Sequence, residues 1–312
     1  MSAPNGSKAI IAALAANLSI AAMKFVAYLL TASSSMMAES IHSVADSSNQ
    51  ILLLVGGKRA RRQASPEHPF GYGRERYIYA FIVSIILFSV GGLFALYEAW
   101  HKFQDPHGIE GRWWWVPVAV LVFGLFAEGM SFRTAVRESN HTRGRSTWLQ
   151  FIRRAKSPEL PVILLEDFAA LLGLSFALFG VVLTLVTGNG IFDAAGTALI
   201  GVLLVVVAAV LAVETKSLLL GESATAADVR AIEEAMIGEG VEKIIHLRTM
   251  HLGPEELLIA AKFAVDKANT AQDIADAINA AEARIRAAVP IARLIFLEPD
   301  VYSPAKAVPA QS

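Results

Sequence analysis

Six stretches of this chain are each long and apolar enough to cross a lipid bilayer as a helix, which excludes an ordinary soluble fold. They run Ala9–Leu30, Ser34–Gly56, Tyr77–Trp100, Trp113–Met130, Leu160–Val186 and Ile191–Val213. A hydrocarbon core about 30 Å thick takes roughly 20 helical residues to cross. Backbone groups in lipid must be satisfied within the segment, so such stretches are helices. The composition agrees: of 312 residues, 54% are hydrophobic and only 18% charged, against about 25% charged in soluble domains. The mean hydropathy is +0.49. The 27 Lys and Arg against 28 Asp and Glu leave a net charge of -1, which excludes a broadly basic nucleic-acid binder. There is no cysteine, so disulfides, thiolate zinc sites and thiol nucleophiles are excluded together. Any metal must be held by His, Asp, Glu or backbone.

The basic residues set the expected topology. Lys58, Arg59, Arg61, Arg62, Arg74 and Arg76 lie between the second and third stretches. Arg133, Arg137, Arg143, Arg145, Arg153, Arg154 and Lys156 lie between the fourth and fifth. The alternate loops hold only Lys102 and Arg112. The positive-inside rule then puts both termini in the cytoplasm, with Trp113, Trp114 and Trp115 as an aromatic belt at the opposite interface. The first stretch is too long for the apolar part of a signal peptide and is read as retained. No Arg- and Ser-rich leader precedes it, which fits a bacterial plasma (inner) membrane better than an organelle.

Composition changes after Leu220. Residues 1–220 read as a six-helix membrane domain, 221–302 as a small cytoplasmic α+β domain and 303–312 as a loose tail. Thr225 followed by Asp228 resembles a capping box opening a helix through Val229, Ile232 and Met236. Ile244–His251 and Leu257–Val265 read as strands with Gly253-Pro254 turning between them. A helix capped at Asn269 or Thr270, with Ile274, Ile278, Ala281 and Ile285 on one face, precedes a third strand over Ile291–Leu297. This αββαβ order is that of a sheet covered on one face by helices, as in ferredoxin-like domains.

The chemistry sits inside the membrane. A charged residue at a span centre costs roughly 2.5–3.5 kcal/mol on insertion scales, yet the second span holds Glu39, His42 and Asp46, and the fifth holds Glu166 and Asp167. His42 and Asp46 are four apart and share a helical face; Glu39 and Asn49 extend it by a turn each way. Polar groups of this kind can glue helices together. Imidazole and carboxylates converging between helices also meet the needs of a borderline-soft divalent cation. Lys24 reads as snorkelling or paired with a carboxylate.

These residues resemble the cation diffusion facilitator family of divalent-metal/proton antiporters over nearly the whole chain. The motifs are Ala38-Glu39-Ser40-Ile41-His42-Ser43-Val44-Ala45-Asp46, His68-Pro69-Phe70-Gly71-Tyr72-Gly73-Arg74, Gly188-Asn189 with Asp193-Ala194-Ala195-Gly196, and Leu219-Leu220-Gly221-Glu222. The family places His or Asp four before an Asp in the second and fifth spans. Carried over by position, His42, Asp46 and Asp167 match, whereas the fourth position is Ile163, which cannot bind metal. Leu164-Leu165-Glu166-Asp167 is similar to a zinc transporter branch with a mitochondrial member. Glu166 is about 100° round the helix from Asp167, leaving it as ligand, proton relay or a place taken by water. A loop site is reduced to His68 beside Glu67, with Tyr72 where a second His is expected. His246 and His251 read as surface or strand histidines.

The resemblance implies export of a divalent metal from the cytoplasm against inward protons, by a homodimer in the bilayer, with no prosthetic group. Zinc is the first expectation, with Mn(II), Fe(II) and Co(II) open. Two other readings are a transport-inactive dimeric scaffold, motivated by Ile163, and an intramembrane metallohydrolase with Glu166 as base. The second lacks a His-Glu-x-x-His helix.

Overall fold

A computed structural model describes residues 4–109, 111–238 and 240–302, with side chains from residue 17 onward. The expected tail at 303–312 lies outside the described residues. The chain divides into two compact units, one of residues through Gly57 with Ile78–Lys216, the other of Lys58–Tyr77 with the residues from Ser217 on.

The helices of the first unit are α1 (Pro4–Thr31), α2 (Ser34–Ala60), α3 (Glu75–Ile86), α4 (Phe94–Gln104), α5 (Val116–Arg143), α6 (Trp148–Arg154), α7 (Glu159–Thr187) and α8 (Ile191–Leu220), some reaching past the unit's bounds. Among the described residues four helical stretches are long and apolar enough to cross a membrane: Glu75–Gln104, Val116–Arg143, Glu159–Thr187 and Ile191–Leu220. The apolar part of α1 with described side chains, Asn17–Thr31, is shorter. Helix α2 is 27 residues long but diluted by Ser34, Ser35, Glu39, Ser40, His42, Ser43, Ser47 and Asn49, all buried.

The structure departs from the sequence expectation in three places. The third stretch is not one regular helix: Leu87–Leu93 winds as a π-helix between α3 and α4. Gly91 and Gly92 lie there against α8, and a Cβ on Gly92 would stand 2.7 Å from Val205 Cγ2. Helix α5 continues to Arg143, well past Met130. The following loop contains α6, opened by a reciprocal capping box between Thr147 and Gln150 that satisfies two otherwise orphaned N–H groups.

Two devices hold the long helices together. At the start of α8, Asp193 accepts hydrogen bonds from Ser33 Oγ at 2.9 Å, Ser34 N at 2.8 Å and Ser35 N at 3.3 Å. It thereby satisfies N–H groups at the start of α2 that no helical carbonyl can reach. Ala32 turns the chain between α1 and α2 with a φ of 49°, and its carbonyl accepts from Lys102 Nζ. Helices α7 and α8 approach closely at paired glycines. A Cβ on Gly180 would lie 2.7 Å from Phe192 O, and one on Gly196 2.8 Å from Phe176 O. Leu174, Ala177, Val181, Ile200 and Leu204 form part of the apolar core around them.

In the second unit, α9 (Ala226–Met236), β1 (Ile244–Gly253), β2 (Glu256–Ala264), α10 (Ala271–Ala288) and β3 (Ala292–Asp300) follow in order. The sheet order is β1-β2-β3. Strands β1 and β2 are antiparallel, with Gly253 opposite Glu256 at the turn; β2 and β3 are parallel, joined through α10. Alternate β2 residues Leu257, Ile259, Ala261 and Phe263 are buried with Ile232 and Met236 of α9 and Ala277, Ala281 and Ile285 of α10. Thr225 caps α9 and Thr270 caps α10. Gly73, from the segment between α2 and α3, packs on the β1–β2 turn, where a Cβ would stand 2.8 Å from Leu252 O.

The glycine contacts give a paired expectation. Gly196→Ala forces a Cβ against the α7 backbone and lowers the melting temperature in detergent. Gly129→Ala, with nothing within 4 Å, gains up to about 1 kcal/mol of helix propensity and leaves it level or higher. In α10, Thr270 donates its hydroxyl and its N–H to Asp273 Oδ2, and these bonds hold the Asp273 carboxyl below its ordinary value of 3.8. A depressed carboxylate stabilises above its unfolded value, and the stabilisation disappears as pH falls through the folded one. Thr270→Val is therefore expected to speed amide exchange in the first turn of α10 at neutral pH, with the difference from wild type narrowing below the carboxylate range.

Candidate functional site

Four helices of the first unit bring polar groups to one small cavity of about 30 Å³, room for a single water or small ion. Helix α2 contributes Ser43, Asp46 and Gln50; α7 contributes Ile163, Glu166 and Asp167; α5 contributes Glu128 and Ser131; α1 contributes Asn17 and Ile20. The spacing explains the convergence. Asp46 and Gln50 are one turn apart, as are Ile163 and Asp167, so each pair shares a helical face.

Both acidic groups of α7 are positioned by a neighbouring helix. Glu166 Oε1 accepts from Asn49 Nδ2 at 2.7 Å, and Asp167 Oδ2 accepts from Ser131 Oγ at 2.9 Å. Asn17 Nδ2 donates to Gln50 Oε1 at 3.3 Å, tying α1 to α2 at the cavity wall. Glu166 and Asp167 therefore both reach the cavity, although they are adjacent in sequence.

His42 stands one turn before Asp46, 1% exposed, with its Nε2 3.4 Å from Asp46 Oδ2. Among the described residues neither ring nitrogen has a hydrogen-bond partner, nor has Asp46 Oδ1. Buried imidazoles are ordinarily satisfied, so an orphaned one calls for a chemical explanation. His42 is outside the cavity lining. Among the described residues no three His, Asp or Glu groups stand close enough to enclose a metal. The structure brings together Asp46, Glu166 and Asp167, with His42 against Asp46.

The remaining sequence candidates lie elsewhere. Glu39 is outside the cavity lining, its Oε2 2.8 Å from Lys24 Nζ; Lys24 is 1% exposed and pairs with it rather than snorkelling. His68 is exposed, its ring 4.6 Å from that of Tyr72. It lines a separate groove of the second unit with Glu67, Phe70, Arg74, Met250 and Leu252. His246 is half-buried on β1, and His251 is buried with Nδ1 3.2 Å from Gly253 O.

Sequence reasoning passed over Glu128, Ser131 and Asn17. The signal for Glu128 was available: it is an acidic residue inside the fourth apolar stretch, subject to the same insertion cost that singled out Glu39 and Asp46. Ser131 and Asn17 carry no such signal, since single hydroxyls and amides are ordinary in membrane helices.

Residues 10–220 match the cation efflux transmembrane domain. The chain is 33% identical over 226 residues, 72% of its length, to the "Proton-coupled zinc antiporter SLC30A9, mitochondrial" of Mus musculus, covering 39% of that protein. It is 28% identical over 257 residues to "Metal tolerance protein C4" of Arabidopsis thaliana, covering 79% of this chain and 54% of the relative. A shorter match, 28% over 127 residues, relates 40% of the chain to 38% of "Zinc transporter ZitB" of Pectobacterium atrosepticum. The chain thus spans about two fifths to one half of these relatives' length. With its four long apolar helices and a family match over two thirds of its length, this chain is a multi-pass membrane protein and belongs to the cation efflux, or cation diffusion facilitator, family.

Proposed function

We propose that the chain is a secondary carrier exporting a divalent metal, zinc first, from the cytoplasm in exchange for protons. One observation supports it above the rest: a buried imidazole without hydrogen bonds stands beside a carboxylate that opens onto a cavity walled by further carboxylates. The 3.4 Å between His42 Nε2 and Asp46 Oδ2 suits two corners of a zinc tetrahedron. Bonds of about 2.0–2.1 Å at the tetrahedral angle put neighbouring ligand atoms about 3.3–3.4 Å apart.

In this reading His42 and Asp46 take the metal first, and Asp167 joins them when α2 and α7 close across the cavity. Ser131 orients Asp167 and Asn49 orients Glu166, leaving Glu166 as ligand or proton acceptor. Metal can bind only as these ligands release protons, so one cavity holds either cargo in turn. Rocking of helices about a midplane site then alternates access. Six spans are required: α1 and α2 join the four most apolar stretches, α2 being polar because it supplies the site. Both termini and the second unit lie in the cytoplasm, where the second unit (residues 221–302 by the sequence division) mediates a homodimer. The membrane is proposed as a bacterial plasma membrane; the name of the Mus musculus relative, matched over 72% of the chain, gives a mitochondrial location for that protein. The printed names of the relatives support a transported metal, and the printed name of SLC30A9 supports protons and zinc. A donor set of imidazole and carboxylates without sulfur leaves Mn(II), Fe(II) and Co(II) acceptable. Ile163, still lining the cavity, is the observation that favours the scaffold reading as second.

The test is metal flux into proteoliposomes with an imposed proton gradient, using Zn(II), Mn(II), Fe(II) and Co(II). Flux that depends on the gradient and disappears in Asp46→Ala and Asp167→Ala, with both variants still folded, is the expected result. No flux of any metal from folded dimer overturns the carrier and moves the scaffold to first place. Ile163→His places a nitrogen one turn from Asp167 on the cavity face and is expected to lower the KM for zinc. An unchanged or higher KM would show that α7 does not present that face to the metal.

A further inference from the structure

A fully buried cation stands beside the cavity and is not among its proposed ligands. Lys24 Nζ donates to Glu39 Oε2 and to Ser43 Oγ, each at 2.8 Å. Glu39 and Ser43 are one turn apart on α2, and Ser43 lines the cavity with Asp46. The ammonium of α1 is thus one hydroxyl away from the cation site. Glu39 is 0% exposed, and its second oxygen, Oε1, has no hydrogen-bond partner among the described residues. Helix α7 makes room for that oxygen only because residue 173 is glycine: a Cβ there would stand 2.8 Å from it. Gly124 of α5 and Leu174 of α7 close the other side, with Lys24 Cε 3.9 Å from a Cβ placed on Gly124.

Burying such a pair does little for stability. Apolar residues of similar volume commonly serve as well or better. Its field is a different matter. Four helices exclude water from the pair, so its charges are weakly screened at the cavity wall. A carrier must bind its ion firmly enough to load and weakly enough to unload. A fifth acidic side chain beside Asp46, Glu128, Glu166 and Asp167 would push that balance towards retention.

We propose that the Lys24–Glu39 pair sets the metal affinity of the cavity: Lys24 holds Glu39 out of the ligand set and opposes the arriving ion with its own fixed charge. Both are affinity-setting positioning residues, and the inference rests on the carrier reading above. The experiment measures zinc KM and kcat by flux in proteoliposomes, together with zinc affinity by titration calorimetry on the detergent-solubilised full chain. Its variants are Lys24→Gln, Glu39→Gln and the double variant, with folding followed by gel filtration.

Removing one unit charge beside the site is expected to move affinity by about tenfold, in opposite directions for the two single variants. Lys24→Gln tightens zinc binding and lowers KM, and it lowers kcat because release slows. Glu39→Gln weakens binding and raises KM. The charge-neutral double variant returns affinity to near the wild-type value. Shifts in the same direction, no shift, or equal loss in all three variants overturn the proposal, because a pair that only holds helices together produces those patterns. Failure of the unaltered protein both to transport and to bind zinc removes the carrier reading, and this inference with it. Wild-type flux or binding with the wrong pattern of shifts removes this inference alone.

Discussion

Carboxylates gathered among apolar helices are the constraint to which the first unit answers. Asp46, Glu128, Glu166 and Asp167 line one cavity of about 30 Å³, and like charges gathered among apolar helices repel unless protons or a cation offset them. Helix α2 is arranged accordingly, with its polarity turned inside out. Glu39, His42, Ser43 and Asn49 are buried, while Val44, Ile51 and Leu54 are 44%, 44% and 46% exposed. A membrane helix can be polar on the face it turns to its neighbours if its outer face is as apolar as lipid. This is why α2, although less apolar overall than the four long helices, is compatible with the span proposed for it.

The same constraint explains the glycines. Bringing acidic groups from α2, α5 and α7 to a single point requires helix axes to approach closely. Gly173 leaves space for Glu39 Oε1, while Gly180 and Gly196 let α7 and α8 touch backbone to backbone. Asp193 then pins the start of α2 to α8 through Ser33, Ser34 and Ser35. The start of the site-bearing helix is thus held by several hydrogen bonds. The residues around the cavity itself are held by single ones, such as Asn49 to Glu166 and Ser131 to Asp167. Rigidity is concentrated at one end of α2, away from the cavity groups that would rearrange around an ion in the proposed carrier.

Much of this was legible in the sequence because hydropathy and caps are local. The apolar stretches marked four helices directly, and Thr225 and the Gly253-Pro254 turn placed the edges of α9, β1 and β2. The π-helical turn was not legible: it depends on Gly91 and Gly92 meeting Leu204 and Val205 of α8, a contact more than a hundred residues distant. Helix α6 was missed for a smaller reason, since a Thr147–Gln150 capping box can be read in sequence but precedes only seven helical residues. In the site, spacing brought out His42, Asp46 and Asp167 because each differs sharply from its apolar surroundings. It could not separate Glu39 from them. Glu39 shares the face of His42 along α2, and only the position of Lys24 on another helix shows that its charge is already taken.

His42 and Ile163 together define what is unusual in this site. A four-ligand arrangement would take one donor from each of two positions on α2 and two on α7. Here α2 offers its pair at ligand spacing, with His42 Nε2 3.4 Å from Asp46 Oδ2, and α7 offers Asp167 one turn from an aliphatic neighbour on the same face. An ion held by α2 alone would have no reason to draw the helices together. An ion shared with Asp167, as the proposed carrier has it, would do so, and Ile163 adds no donor on that face, while Glu166 lines the cavity with its Oε1 engaged by Asn49. Fewer donors on α7 mean a weaker closing force and a softer preference among metals, since geometry and ligand count do more to select a metal than raw affinity. Loss of a ligand at position 163 thus need not signal lost transport. In the proposed carrier it would shift the task of holding the ion towards α2, beside the Lys24–Glu39 pair.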